Sequence, residues 1–569
     1  MKKGLDKYKL HEKRDFRDVR ELVETAGDIY SDRIAYSYRT TPSKKETLVK
    51  KSFPEFRSDV RALATQFIAM GGRDKHFAII GKYSYEWVIT YFAVLSIGGV
   101  VIPLDKDWHA SDLADTVKKS ETDFLVCDKD ITEKAEYISN EHELSAPVIY
   151  LLSQDEGSLT SLVELGRAKF EESSEEYYAT EIDIEKMSIL VFTSGTTGKG
   201  KGVMLSQKNV LTDITSVLPY IAYTRKTVGV LPPHHTYCST VMMLGHALIG
   251  SEVYISAGLK YVQKELVAEK PGHLVLVPLY LETFYRKINA NIKEKGKEEL
   301  VAKMIKFSNG LLKVGIDLRK KLFASIRAAF GGEVSMIITG GAPVNPEIVA
   351  FFKAIGISTL NGYGITECSP LISVNFSKNI VVGSVGNPVE VNTVKIDEPN
   401  EDGEGEILVK GSNVMLGYYK DEETTKEVFD EEGYFRTGDY GKLDENGVIF
   451  ITGRKKNLII LSNGKNVYPE EIENDLIAVP GIVDIIVYEG KSRRGMEHNA
   501  IVAEVYPDKD FFEKNGITDI KAYLKKYVDE YNKTAVVYKR ISIIKVRSEE
   551  FPKNTLRKIL RFKLDMTIE

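Results

Sequence analysis

Four glycines, four hydroxyl side chains and two lysines crowd into ten residues: Thr193, Ser194, Gly195, Thr196, Thr197, Gly198, Lys199, Gly200, Lys201 and Gly202. Glycine lets backbone amides approach a ligand closely and turn with φ > 0. Hydroxyls and ammonium groups donate to phosphate oxygens. The chemistry these residues suit is the cradling of a polyphosphate. Apolar runs at 189–192 and 203–205 flank the loop, so its spacing predicts strand, turn and strand. One competing reading is the nucleotide-binding loop G-x-x-x-x-G-K-[ST]. Residues 195–201 satisfy it as far as the lysine, but Gly202 stands where a magnesium-binding hydroxyl is required and where a helix should open. A plain polar surface loop is the other reading, weakened by the lysines and by the apolar flanks.

Further motifs offer the remaining parts of a nucleotide site. Gly340-Gly341-Ala342 and Gly362-Tyr363-Gly364-Ile365-Thr366-Glu367 are glycine turns. Tyr363 between two glycines suits an aromatic ring exposed for stacking on a base. Thr366 supplies a hydroxyl, and Glu367 a hard oxygen for a magnesium ion that otherwise rests on substrate phosphates. YFRTGD at 434–439 presents Asp439, a carboxylate able to receive two hydrogen bonds. GRKKN at 453–457 adds Arg454 and Lys456. His234 and His235 follow a Pro-Pro turn; the pair has no clear third ligand, so metal binding there is rejected.

The elements that must carry these motifs alternate. Helices are expected over 16–31, 53–70, 85–97, 111–120, 240–249 and 346–354. Strands are expected over 34–38, 76–80, 100–104, 124–127, 147–152, 228–232, 273–278, 334–339 and 358–361. Such a beat argues an α/β fold with mostly parallel sheets, whose ligands gather beyond strand ends. Residues 281–330 read as charged helices with a solvated face; a basic, membrane-touching surface is the minority alternative. From residue 383 the helices stop, and strands at 394–396, 405–410 and 448–452 suggest a β-rich module with turns at EPNEDGEG and DENG. After residue 453 come strands at 458–461, 482–488, 500–505 and 540–546, with helices from Pro469 and over 519–531. The organisation expected is therefore a large N-terminal domain over 1–453, a hinge at 454–457, and a small mobile α+β C-terminal domain over 458–569.

At 569 residues, 43% hydrophobic and 28% charged, the chain has the composition of an ordinary soluble multidomain protein. A net charge of −5 gives no support for a nucleic-acid partner. Cys127, Cys238 and Cys368 are scattered, with no disulfide or zinc spacing, and the N-terminus lacks an apolar signal segment. The run 91–104 is 14 residues long and broken by Gly98, Gly99 and Pro103, too short to cross a bilayer. A cytoplasmic location is expected, with peripheral membrane contact at most.

Taken in order, TSGTTGKGKGV, LPPHH, GGAPV, GYGITE, RTGD, GRKKNLIILSNGKNVYPEEIE and PKNTLRKILR resemble the motif series of the adenylate-forming superfamily of acyl-CoA synthetases, adenylation domains and luciferases. The resemblance covers residues 84–561 and is most like the long-chain fatty-acid CoA ligases. It implies ATP-dependent activation of a fatty acid to acyl-AMP, then transfer to the CoA thiol; the alternative acceptor is an acyl carrier protein. It implies that Thr193, Ser194, Gly195, Thr196, Thr197 and Lys201 hold the β- and γ-phosphates, with Glu367 and Thr196 at Mg2+. Gly341, Ala342 and Tyr363 would line the adenine site, Thr366 would touch the α-phosphate, and Asp439 would accept the ribose hydroxyls beside Arg454. His235 would stand at the acyl site, with apolar walls near 241–245 and 370–374. Lys456 would be the hinge, Gly464 and Lys465 would lie near the thiol tunnel, and Lys558 would be the catalytic lysine of the first half-reaction. Two residues depart from the pattern: Gly200 stands where proline is usual, and Arg557 where glycine is usual.

Overall fold

The computed structural model describes residues 5–42, 44, 47–142, 144, 148–153, 155, 157–193, 200–460, 466–492, 500–553 and 559–568. The central sheet has seven strands. Met187–Thr193, Val100–Leu104, His76–Ile80, Phe124–Asp128 and Ile149–Leu151 run parallel in that spatial order. Their continuous apolar runs, with Phe77, Ile79, Val101, Leu125 and Val126 fully buried, are what a sheet covered on both faces requires. On the other side Lys201–Ser206 and Gly417–Tyr418 add antiparallel edges.

The chain leaving the glycine-rich loop is therefore a strand and not a helix. Lys201 pairs with Thr193 and Gly202 with Phe192, which excludes the strand-loop-helix reading of 195–201. A capping box then starts the next helix, Gln207–Val217: the Ser206 hydroxyl accepts from the Asn209 amide, and the Asn209 side chain accepts from the Ser206 amide. Such a cap contributes about 1 kcal/mol. It fixes the direction in which this helix crosses the site.

A second sheet places His273–Leu276, Met336–Gly340 and Ser358–Gly364 in parallel, followed by antiparallel Leu371–Val374 and Asn387–Pro388. Its register sets Thr339 opposite Asn361 and Gly340 opposite Gly362, so two of the glycine turns leave the sheet side by side. A third sheet joins Leu48–Ser52, Ile34–Arg39, Glu252–Ile255 and Lys226–Gly229. The β-rich module is an antiparallel sheet of Thr393–Asp397, Gly405–Lys410, Phe435–Leu443 and Ile449–Arg454, with Asp439 opposite Arg454.

Helices cover the sheets. Phe53–Ala69 packs so closely on Leu159–Glu172 that a Cβ at Gly166 would stand 1.9 Å from the Ala62 carbonyl oxygen. The expected charged helical segment 281–330 is mostly helical, mainly in Pro278–Glu294 and Glu298–Leu312, with a non-helical break at 313–318. The expected helix over 240–249 begins earlier, as a π-helical stretch Tyr237–Leu244 running into Gly245–Ile249. The C-terminal part builds one more sheet from Ile543–Val546, Ala500–Pro507, Ile482–Ser492 and Thr567–Ile568. That sheet is packed by Pro469–Leu476 and Ile520–Thr534 around its own apolar cluster, including Ile472, Val487, Ala503 and Leu524. The connection into it is a strand end and one 3-10 turn, Lys455–Asn457.

Candidate active site

A cavity of about 1830 Å3 opens where the central sheet, the second sheet, the β-rich module and the C-terminal part meet. Thr193, Lys201, His235, Gly341, Tyr363, Thr366, Glu367, Arg454 and Lys456 all line it. Residues more than 250 positions apart in sequence are thus gathered on one volume. Ala342 is exposed and Asp439 buried, and neither lines it directly. Ser194, Gly195, Thr196, Thr197, Gly464, Lys465, Arg557 and Lys558 lie outside the described residues. The chain on either side of 554–558 is described: Lys553 pairs across to Ile559, and Lys553 and Leu560 both line the cavity.

The nucleotide-facing half is polar. The Tyr363 hydroxyl donates to Asp439 Oδ2 at 2.7 Å, and Arg454 Nε donates to Asp439 Oδ1 at 3.0 Å. Both carboxylate oxygens are thereby engaged, and the Asp439 charge holds the Arg454 guanidinium firmly protonated. The Tyr363 ring is 7% exposed and lines the cavity. Packing buries most of it, and burial, with Asp439 beside it, raises its hydroxyl well above the usual phenol range.

Glu367 sits in a 3-10 turn, Thr366–Cys368, and its Oε1 accepts from the Tyr418 hydroxyl at 2.9 Å. The Lys201 ammonium lies 4.8 Å from the centre of the same Tyr418 ring. Tyr418 therefore sets the phosphate-loop lysine and the carboxylate relative to each other. Nothing in its local sequence marks it, because its place depends on the edge pairing of Gly417–Tyr418 with Lys201–Ser206. Glycine at position 200 also has a local reason: a Cβ there would stand 2.9 Å from the Thr193 carbonyl oxygen.

Among the described residues no group of three or more His, Cys, Asp and Glu side chains could hold a metal ion. Glu367 could hold a magnesium ion together with substrate phosphates, since that ion takes few protein carboxylates. The Thr339 hydroxyl, on the cavity wall, has no partner among the described residues.

The other half is apolar, walled by Ile214, Val217, Leu218, Val241, Ile338 and Leu371. Two of these fall in the stretches expected as acyl walls; those from Gln207–Val217 and Met336–Gly340 depend on tertiary packing. Asp213, on the same helix, is the polar exception. Its Oδ1 accepts from Asn413 Nδ2 at 3.0 Å and from the Leu371 amide at 3.3 Å, and full burial raises its pKa well above the carboxylate range. His235 stands at the start of the π-helical stretch. The Tyr237 amide donates to its Nδ1 at 3.2 Å, which places the ring proton on Nε2. His234 Nε2 lies 3.7 Å from Asp105 Oδ2, and burial lowers its pKa against the opposing pull of that carboxylate.

Behind the apolar wall two more histidines, His246 and His273, meet end to end with nearly parallel rings whose centres are 5.1 Å apart. His246 Nδ1 lies 3.1 Å from the Val241 carbonyl, so it carries the proton, and its Nε2 accepts from His273 Nε2 at 2.8 Å. His273 Nδ1 in turn accepts from the Thr224 hydroxyl at 2.7 Å. Only neutral rings satisfy this chain. Tyr223, which lines the cavity, packs edge-on against both.

The C-terminal motif is anchored from below. Arg561 pairs with Glu473 and donates through Nη1 to the Val487 carbonyl at 2.9 Å, while Lys553 Nζ donates to Asp484 at 2.7 Å. These contacts fix both ends of the stretch that contains Lys558.

Comparison with known proteins agrees with this geometry. Residues 23–419 match the family of AMP-binding enzymes. The chain is 28% identical over 473 residues to rat long-chain-fatty-acid–CoA ligase 5, covering 78% of this chain and 69% of that protein. It is 29% identical over 455 residues to the long-chain-fatty-acid–CoA ligase FadD15 of Mycobacterium tuberculosis, covering 76% and 74%. Among solved structures, ATP-bound MatB from Rhodopseudomonas palustris superposes with a TM-score of 0.74 at 24% identity, over 96% of this chain and 97% of that one. The Bacillus subtilis O-succinylbenzoate CoA synthetase MenE, in complex with ATP and magnesium ion, does so with a TM-score of 0.71 at 21% identity, over 95% and 98%. At these identities the structural likeness speaks for the fold.

Proposed function

The chain belongs to the AMP-binding enzymes, and on that premise we propose that it joins a fatty acid to coenzyme A in two steps. In the first, a carboxylate oxygen of the acid attacks the α-phosphorus of ATP; the α–β anhydride bond breaks, and pyrophosphate leaves. In the second, the CoA sulfur attacks the acyl carbon of acyl-AMP, the C–O bond to AMP breaks, and the thiol proton passes to solvent.

The observation that carries this reading is the division of one cavity. Lys201 and Thr366, suited to phosphate, Glu367, suited to a cation, and the Tyr363–Arg454 pair joined through Asp439 share the cavity with an apolar compartment, and His235 lines it too. Two anions must meet there, so the task of the protein is positioning and charge neutralisation. Lys201 takes the departing phosphates and Thr366 the α-phosphate. Asp439 takes the ribose hydroxyls as Arg454 yields one of its oxygens. Lys558 bridges carboxylate and α-phosphate in the first step only. Glu367 and Thr196 would hold a magnesium ion, which would supply further charge neutralisation at the phosphates. We assign residues 454–457 as the hinge about which residues 458–569 turn between the steps, with Lys456 central and Gly464 beside the incoming thiol.

The test is fatty-acid-dependent exchange of pyrophosphate into ATP, followed by addition of CoA. Exchange across a panel of acids, and thioester once CoA is added, is the expected result. No exchange with any acid from short to long would falsify adenylation. Exchange without thioester reassigns the acceptor to an acyl carrier protein. Lys558→Ala should lose adenylation yet convert supplied acyl-AMP to thioester; equal loss of both steps removes its assigned role.

A further inference from the structure

The span 293–321 carries nine lysines and arginines against four carboxylates, in a chain whose net charge is −5. Five of the eighteen large apolar side chains exposed among the described residues fall in the same span: Leu300, Phe307, Val314, Ile316 and Leu318. The helix Glu298–Leu312 buries only Ser308 fully. Leu300 and Phe307, seven residues apart, lie within about 20° of each other around the axis, and they are 52% and 59% exposed. Val314, 70% exposed, continues the line just beyond the helix end. On a helical wheel Lys303, Lys306 and Lys313 run along one side of this row, and Val301, Ile305 and Leu312, all partly buried, along the other. Lys303 pairs with Glu299 and Lys320 with Glu333, whereas Lys306, Lys313 and Lys321 have no ion pair among the described residues.

We propose that this face docks on an anionic phospholipid bilayer. Leu300, Phe307 and Val314 enter the boundary between headgroups and acyl chains, and the lysine row meets the lipid phosphates. An apolar row beside a cationic row on one helix is the pattern of an interfacial helix. A second copy of the chain is the poorer occupant, because a two-fold contact would bring this cationic face against itself. Nucleic acid would satisfy the lysines and leave the apolar row in water. Among the described residues no helix is long and apolar enough to cross a membrane, so the contact is peripheral. The helix Pro278–Glu294 begins next to Val277 on the apolar cavity wall and leads toward this face. At 17 residues it spans about 25 Å, which places the apolar compartment within reach of a bilayer surface.

The experiment is flotation of the full chain, without substrate, on vesicles of phosphatidylcholine alone and of equal parts phosphatidylcholine and phosphatidylglycerol. Its outcome does not depend on the reaction proposed above. Binding to the anionic vesicles, lost in high salt, is expected. Neutralising three lysines in the triple variant Lys303→Gln, Lys306→Gln, Lys313→Gln should weaken it on the order of a hundredfold, at roughly fivefold per charge. Leu300→Ser with Phe307→Ser should also weaken it while leaving pyrophosphate exchange with a water-soluble acid unchanged. No flotation with anionic vesicles overturns the proposal, as does flotation that both variants retain. A dimer in light scattering that Phe307→Ser dissociates, without vesicle binding, overturns it in favour of a self-association face.

Discussion

The paired histidines behind the cavity make a quantitative claim about acid. His246 must be neutral to accept from His273, and burial lowers its pKa from an ordinary 6.5 to about 4. His273 is lowered as well, by burial first and by His246 second. Unfolded, both rings protonate near 6.5. Between about pH 6.5 and pH 4 the unfolded chain therefore binds more protons than the folded one, and stability falls as pH falls through that window. Above it the contribution is present in full. At ~1.4 kcal/mol per pH unit, His246 alone accounts for roughly 3 kcal/mol across the window and about 2 kcal/mol by pH 5. The assay is urea unfolding of the wild type and of His246→Gln at about pH 7.5 and about pH 5, with the free energy taken from midpoint and slope. Glutamine keeps a donor for Val241 and an acceptor for His273 but does not titrate. The variant should start slightly less stable and lose about 2 kcal/mol less on acidification. Equal losses in the two proteins would refute the neutral pair.

Three further outcomes follow from packing and from the site. Gly166→Ala should destabilise the large part by about 3 kcal/mol or more, measured by thermal unfolding, because its Cβ would be 1.9 Å from a backbone oxygen with no room to yield. Tyr363→Phe removes the hydroxyl bonded to Asp439 at 2.7 Å and should weaken ATP binding about tenfold by calorimetry; unchanged affinity would show that this contact does not set the carboxylate. Arg561→Met frees the C-terminal motif from Glu473 and the Val487 carbonyl. It should reduce pyrophosphate exchange at least about tenfold while sparing thioester formation from supplied acyl-AMP, since breaking a largely buried pair costs about 3 kcal/mol.

Much of this architecture was legible because buried parallel strands are continuous apolar runs. His76–Ile80, Val100–Leu104 and Phe124–Asp128 lie within a residue of their expected bounds, and so does the helix Pro346–Ala354. The elements that escaped notice lack such runs. Phe435–Leu443 reads FRTGDYGKL, a strand whose pattern is overridden by residues turned toward the cavity and toward Glu406. Leu159–Glu172 and Thr132–Glu141 bury few residues fully, Leu159, Leu162 and Gly166 in the first and Ala135 and Ile138 in the second. In the site, single motifs announced Thr193, Lys201, Thr366, Glu367 and Arg454, which line the cavity together. Tyr418 and Asp213 did not show, because their significance lies in partners that are far away in sequence: Glu367 and Lys201 for one, Asn413 and Leu371 for the other. The burial of Tyr363 was invisible for the same reason, since the partner of its hydroxyl, Asp439, lies 76 residues away.

The brevity of Lys455–Asn457 has a kinetic meaning. Three residues separate Arg454, on one wall of the cavity, from the part that delivers Lys553 and Leu560 to another. A join this short holds the second wall near the first at an effective concentration on the order of millimolar, whatever the dilution of the protein. Completion of the site is then first-order, and turnover per molecule should not fall as enzyme is diluted. Two separately expressed halves cut after Asn457 would lack that advantage, and their rate should depend on the product of their concentrations.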